Sequence, residues 1–185
     1  MLIVCDKDYK VSGKLKIREE QAPYPNDEEV LIRVKSFGIN RPDLLQKKGL
    51  YPPPASASKI LGLECSGFVE KTGKKVKGIK EGDKVCALTA GGAYAEKVSV
   101  HQWHCFNIPK NLTFSEAAVL PEVFMTCWAN IFELGFLKQG DSILIHGGNS
   151  GIGCAAIQLA KWAGATVICS VRTEEKKTFC EALGC

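Results

Sequence analysis

The spacing of apolar and polar positions changes character partway along the chain. Up to about residue 110 the pattern has a period of two, in short runs broken by Gly, Pro and Asp. Leu15 and Ile17 alternate with Lys14, Lys16 and Arg18; Val30, Ile32 and Val34 alternate, less cleanly, with Leu31, Arg33 and Lys35. Residues 67–71, 83–88 and 94–100 continue it, and Leu2–Cys5 is a short apolar run. Such runs are half-buried strands, and their spacing predicts an all-β barrel or sandwich with long loops. Tyr51-Pro52-Pro53-Pro54 fits neither helix nor central strand, because proline lacks an N–H and fixes φ; it reads as a stiff surface loop.

Beyond Pro109 the period lengthens. Thr113-Phe114-Ser115-Glu116 has the capping-box form that opens a helix, and 122–134 reads as a second helix after Pro121. Residues 141–145 form a strand with no polar alternation, expected to be buried. Ile152, Ala155, Ala156, Leu159, Ala160 and Ala163 then fall on one helical face, and Gly164 suits a C-terminal cap. Thr166–Ser170 is a second strand of the buried type, and 173–183 starts another helix. Strand, helix, strand, helix is the opening of a parallel α/β sheet. The pattern therefore predicts two domains, 1–110 and 111–185.

Composition narrows the setting. The 185 residues are 45% hydrophobic and 24% charged, as in an ordinary soluble globular protein. A net charge of +4 is too mild for nucleic acid to be the main partner. The uncharged run 85–95 is too rich in glycine and small residues to cross a bilayer, and residues 1–10 lack a signal-peptide pattern, so no membrane span is expected. Nine cysteines, an odd number with no C-x-x-C spacing and mostly within apolar runs, point to buried, reduced thiols in a cytoplasmic protein.

The most specific signal is Gly147-Gly148-Asn149-Ser150-Gly151-Ile152-Gly153, running from a strand directly into an amphipathic helix. A dinucleotide pyrophosphate needs free backbone N–H groups, the positive end of a helix and small residues that let it approach. Gly148, Ser150 and Gly153 take the three glycine positions of G-x-G-x-x-G, with Ser in the middle as a departure, and Asn149, Gly151 and Ile152 complete the expected contact set. After the second strand comes Ser170-Val171-Arg172-Thr173, with no carboxylate at the strand tip and Lys176 one turn later. Arg172, Thr173 and Lys176 suit a ribose 2′-phosphate, so NADPH is the expected cofactor.

Four segments then carry a resemblance: NRPDLLQKKGLYPPP (40–54), ILGLECSGFV (60–69), GIKEGDKV (78–85) and GDSILIHGGNSGIGCAAIQLAK (140–161). In that order they resemble the zinc-independent medium-chain dehydrogenase/reductases, and most of all their NADPH-dependent quinone oxidoreductase group. The resemblance implies a β-rich GroES-like barrel followed by an α/β Rossmann domain with a doubly wound parallel sheet, the substrate lying in the cleft between them. Zinc-using relatives carry Cys and His ligands where this chain has Asn40 and Leu63, and Glu122 stands near the third position. One carboxylate does not hold catalytic zinc, so no metal is expected. A quinone or α,β-unsaturated carbonyl accepts hydride without such a Lewis acid, needing placement and one or two hydrogen-bond donors. The resemblance implies Asn40 and Tyr51 as those donors and Thr126 as a nicotinamide contact, with Asp43 and Glu64 orienting their neighbours.

Two alternatives stay open: an enoyl-thioester reductase, since related enoyl reductases place a proton-donating Tyr in a similar segment, and a non-catalytic NADPH-binding form. Lys71, Lys74, Lys75, Lys77 and Lys80 read as a solvated hairpin, and Trp103, Trp128 and Trp162 as core or interdomain packing. A Rossmann domain needs about six strands and two are present here. The expectation is an incomplete Rossmann domain, truncated at the C-terminus, in a parent that forms homo-oligomers.

Overall fold

A computed structural model describes residues 1–5, 15–55 and 57–185. Lys14 of the first alternating run and residues 6–10 of the N-terminal segment lie outside the described residues. The chain forms two compact units, Met1–Pro121 and Glu122–Cys185.

In the first unit the period-two runs become strands. β1 (Leu2–Cys5) pairs antiparallel with β2 (Lys16–Glu19). A five-stranded antiparallel sheet has the order β6-β3-β4-β5-β7, from β3 (Glu29–Phe37), β4 (Glu64–Thr72), β5 (Lys84–Leu88), β6 (Lys97–His101) and β7 (Cys105–Asn107). The edge of β1 meets the segment before β6, where Val4 N donates to Tyr94 O at 2.8 Å and Ile3 bridges Ala95. Val30, Ile32, Cys65, Val69, Val85, Ala87, Val98 and Val100 face one another and are buried. Each buried Val or Ile contributes roughly 1.5–3 kcal/mol relative to exposure.

Short elements escaped the pattern. Arg41–Lys47 is a helix, α1, with Pro42 in its first turn; its seven residues are too few to show a helical period. Gln102–His104 is a 3-10 turn, and β7 has three residues.

The capping box at Thr113 forms as read. Thr113 N donates to Glu116 Oε2 at 2.8 Å and Glu116 N to Thr113 Oγ1 at 3.3 Å, opening α2 (Phe114–Ala117). This helix packs on β3 and β4. Ser66 Oγ donates to Phe114 O at 2.6 Å, and the Phe68 and Phe114 rings meet edge-on at 4.9 Å. These ties carry residues 111–121 with the first unit, so the contacts divide later than the sequence boundary between 110 and 111.

α3 (Pro121–Trp128) leads into the second unit from Glu122 onward and runs on as a π-helical turn over Ala129–Leu134. The stretch Phe114–Leu134 reaches a length and mean hydropathy (1.2) sufficient by themselves to cross a bilayer. It is not one continuous helix: α2 ends at Ala117, and Pro121 restarts the helix with no N–H to give. Next come β8 (Ser142–His146), α4 (Gly151–Trp162), β9 (Thr166–Ser170) and α5 (Glu174–Ala182). β8 and β9 are parallel, in register from Ser142 opposite Thr166 to His146 opposite Ser170. α4 lies against both, burying Ala155, Ala156, Ile157 and Ala160 with Ile145 and Val167.

Two burial expectations need correction. β8 and β9 read as wholly buried strands, yet Leu144 and Ile168 are 58% and 53% exposed. They point away from α4, and nothing among the described residues covers that face. Trp103 and Trp162 are more than 70% exposed rather than core.

Of the nine cysteines, five are buried and four half-buried, none in a disulfide. Burial, helped by neighbouring thiols, pushes the Cys65 thiol up strongly from 9.0 and that of Cys105 up to about 12. Burial also pushes Cys127 up to about 11, with Glu122 adding to it. A raised folded-state value means the unfolded chain loses these protons first, so stability is full below pH 9 and falls as pH rises toward the folded values. Thermal unfolding followed by calorimetry is expected to show a midpoint that holds up to about pH 9 and then drops as pH rises to about 11. A flat profile would show that these thiols ionise equally in both states.

Candidate functional site

Asn40 and its surroundings form the first centre. Asn40 is the N-cap of α1, half-buried, just beyond the end of β3. Its Nδ2 donates to Glu64 Oε1 at 2.8 Å, and its backbone N donates to Asp43 Oδ2 at 2.8 Å. Glu64 opens β4 and is brought there by the β3–β4 register, with Phe37 opposite Cys65 and Gly38 N donating to Glu64 O. An amide nitrogen carries two hydrogens; Glu64 takes one and fixes which end of the amide faces the carboxylate.

Asp43 and Glu64 are each 1% exposed. Buried carboxylates are costly unless hydrogen-bonded. Asp43 Oδ2 also accepts from Tyr94 Oη at 3.0 Å, whereas Asp43 Oδ1 is buried without a hydrogen bond from the described residues. Burial, then the Asp43 charge, pushes the Tyr94 hydroxyl well above its ordinary value, so it stays a donor. Tyr94→Phe removes one of the two donors to a buried carboxylate and is expected to cost roughly 1.5–3 kcal/mol. Urea denaturation measures this. A loss below about 0.5 kcal/mol would show that Asp43 is held by other means.

Tyr51 sits at the head of the proline loop and is 47% exposed. Two surface hollows of about 570 and 540 Å³ occur in this unit, and neither is lined by Asn40 or Tyr51.

The second centre is the glycine turn between β8 and α4. Gly147 N and Gly148 N both donate to Ser170 O, at 3.0 and 3.2 Å, which ties the turn to the end of β9. Ser150, read from sequence as a departure from the glycine pattern, is the N-cap of α4; its Oγ accepts from Gly153 N at 3.0 Å. Gly151 and Ile152 open the helix, where backbone N–H groups have no intrahelical acceptor. They and Asn149 are exposed. Exposed amides at the positive end of a twelve-residue helix suit a phosphate, so these residues fit the nucleotide that the sequence pattern implies.

Arg172 follows β9 and is exposed; Thr173 caps α5, its Oγ1 accepting from Lys176 N at 3.4 Å. Glu174 and Glu175, which the sequence reading did not weigh, occupy the first turn of α5 and satisfy its dipole. Sequence reasoning also missed His146, whose Nδ1 lies 3.0 Å from Ser170 Oγ and joins the two strand ends beneath the turn. Thr126 lies within α3, its carbonyl accepting from Asn130 Nδ2. The structure thus brings together 148–153 with the Ser170–Lys176 segment in one unit, and Asn40 with Asp43, Glu64 and Tyr94 in the other. Among the described residues, no group of three or more His, Cys, Asp or Glu side chains is placed to hold a metal ion.

Comparison with known proteins gives this arrangement its class. Residues 26–110 match the family model of the alcohol dehydrogenase GroES-like domain. The mouse synaptic vesicle membrane protein VAT-1 homolog-like is 39% identical over 147 residues, 80% of this chain and 35% of that protein. Among solved structures, the CurK enoyl reductase superposes with a TM-score of 0.88 at 29% identity, covering 99% of this chain and 57% of that one. Escherichia coli quinone oxidoreductase, solved in complex with NADPH, superposes with a TM-score of 0.85 at 30% identity, covering 99% and 56%. This chain therefore spans little more than half the length of those structures and about a third of the vesicle protein.

A GroES-like domain followed by a partial Rossmann-like α/β unit is the architecture that the chain shares with these structures. Residues 26–110 carry the alcohol dehydrogenase GroES-like domain, and the chain as a whole is similar to solved oxidoreductases that include quinone oxidoreductases and an enoyl reductase.

Proposed function

We propose that this chain is the catalytic barrel and the leading part of the cofactor domain of an NADPH-dependent oxidoreductase that reduces quinones or related α,β-unsaturated carbonyls without zinc. The observation that carries the reading is Asn40, held on Glu64 at the position where the resemblance puts a zinc thiolate in metal-using relatives. The nicotinamide, when bound, supplies hydride. The chain's own residues bind, orient and donate. Gly148, Asn149, Ser150, Gly151, Ile152 and Gly153 receive the pyrophosphate, and Thr126 meets the nicotinamide. Arg172, Thr173 and Lys176 receive the 2′-phosphate. Asn40 and Tyr51 donate hydrogen bonds to the substrate oxygen as negative charge develops there. In this reading the GroES-like domain is 1–110 and the cofactor domain 111–185, the first residues of the latter, up to Pro121, packing with the former. The partner is a small molecule rather than nucleic acid, the site of action is the cytoplasm, and the whole protein pairs with itself.

The test is NADPH oxidation in the presence of a quinone, with calorimetric titration of NADPH and NADH alongside. Arg172→Ala is expected to weaken NADPH binding roughly tenfold while leaving NADH unchanged, because one charge-assisted pair to phosphate is lost. Equal loss for both nucleotides would remove Arg172 from the 2′-phosphate role. NADPH binding with no turnover of any quinone or enone would overturn the catalytic reading and leave a non-catalytic binding form.

A second reading, an enoyl-thioester reductase, is favoured by the likeness to the CurK enoyl reductase. Turnover of a crotonyl thioester that Tyr51→Phe abolishes would establish it over quinone reduction.

A further inference from the structure

Four of the nine cysteines gather in the second unit around the back of the glycine turn. Cys154 lies on α4, Cys169 in β9, Cys180 in α5 and Cys185 just beyond α5. Cys154 Sγ is 3.7 Å from Gly148 O. The place a Cβ would occupy on Gly148 is 2.7 Å from Cys169 Sγ and 3.0 Å from Cys180 Sγ. Sulfur therefore packs directly against the turn that the proposed function gives to the pyrophosphate.

Within this group one pair stands apart. Cys185 Sγ lies 2.7 Å from Cys169 Sγ, and both residues are half-buried, so small solutes reach them. Cys180 is sealed at 1% exposure. The two sulfurs need to close by about 0.7 Å to reach the S–S bond length of ~2.05 Å. Cys185 is held by its backbone N donating to Cys180 O at 3.1 Å, so the sulfur stays opposite β9 rather than sweeping free.

We propose that Cys169 and Cys185 are a redox-responsive pair that forms a reversible disulfide by exchange with a low-molecular-weight disulfide such as oxidised glutathione. The exchange opens at Cys185, and Cys169, its thiol pushed up to about 12 by burial and by the Cys185 and Cys180 thiols, follows. Cys185 Sγ loses its proton and attacks one sulfur of glutathione disulfide. A Cys185–glutathione bond forms, the glutathione S–S bond breaks, and one glutathione leaves and takes up the proton. Cys169 Sγ then attacks Cys185 Sγ, expelling the second glutathione, which carries away the Cys169 proton. Two protein thiols are oxidised by two electrons and glutathione disulfide is reduced to two glutathiones. The product ties the end of α5 to β9 beneath the glycine turn.

Peptide mass spectrometry tests this on the 185-residue chain. After incubation with glutathione disulfide, free thiols are blocked with iodoacetamide and the chain is digested with trypsin. Cleavage after Lys161, Arg172 and Lys177 places Cys169 on one peptide, 162–172, and both Cys180 and Cys185 on another, 178–185. The expected result is a cross-linked pair of these peptides, lighter by two hydrogens, with fragmentation placing the bond on Cys185 and an alkyl group on Cys180. Dithiothreitol restores both thiols, and Cys185→Ser abolishes the cross-link while Cys169 becomes alkylated. Alkylation of both Cys169 and Cys185 would overturn the proposal, as would a lasting glutathione adduct on Cys185 or a bond to Cys180.

Discussion

Gly153→Ala is expected to abolish nucleotide binding and to destabilise the second unit by about 3 kcal/mol, the upper part of the range for overpacking. A Cβ at this position would fall 2.4 Å from Gly147 O, 2.5 Å from Gly148 O and 2.6 Å from Gly148 C. All three are backbone atoms, so no rotamer relieves the clash. The turn cannot retreat either, because Gly147 N and Gly148 N are both bound to Ser170 O. To admit the methyl group, the turn must leave β9 or the first turn of α4 must unwind and give up the bond from Gly153 N to Ser150 Oγ. Either path displaces the amides of Gly151 and Ile152. Urea denaturation and NADPH titration measure the two effects. A stable variant that still bound NADPH would remove this turn from the proposed site.

The second large effect is expected at Gly38. Gly38→Ala would set a Cβ 2.1 Å from Glu64 Oε1 and 2.7 Å from both Cδ and Cγ of the same side chain. Turning the carboxylate alone does not clear Cγ, and Glu64, 1% exposed, has no solvent to move into. The carboxylate has to leave Asn40, and a buried charge loses a partner. A loss of roughly 2–3 kcal/mol is expected, together with quinone turnover reduced by about a hundredfold if Asn40 donates to the substrate oxygen. Glu64→Gln keeps the volume and a carbonyl acceptor for Asn40, so it separates steric displacement from charge. Full turnover in Gly38→Ala with the expected loss of stability would leave Asn40 a structural cap only.

What the sequence made legible follows from how local each interaction is. The strands of the first unit, the Thr113–Glu116 box and the α4 face were readable because the residues responsible lie within four positions of one another. The Asn40–Glu64 bond was not readable: its partners are 24 residues apart and meet only through the β3–β4 register, which shifts between Val34 and Ser36. Ser150 was seen as a flaw in a glycine pattern because its use is the bond its hydroxyl makes to Gly153 N. Leu144 and Ile168 show the limit from the other side. An apolar strand with no alternation implies cover on both faces, and sequence pattern does not say which element supplies it. Arg172 was legible as a cation at a strand tip, while Glu174 and Glu175, two and three residues on, complete the helix start that follows it.

The aromatic side chains near α4 have a separate consequence. Trp128 and Trp162 sit with ring centroids 6.4 Å apart, and Phe132 lies within 6.4 Å of both. Indoles at that spacing couple their electronic transitions, so the second unit carries its own signature in near-ultraviolet circular dichroism. Trp103 is the single tryptophan of the first unit and has no indole partner, although it is as exposed as Trp162. The coupled pair thus gives the second unit a spectral feature whose loss follows the melting of that unit.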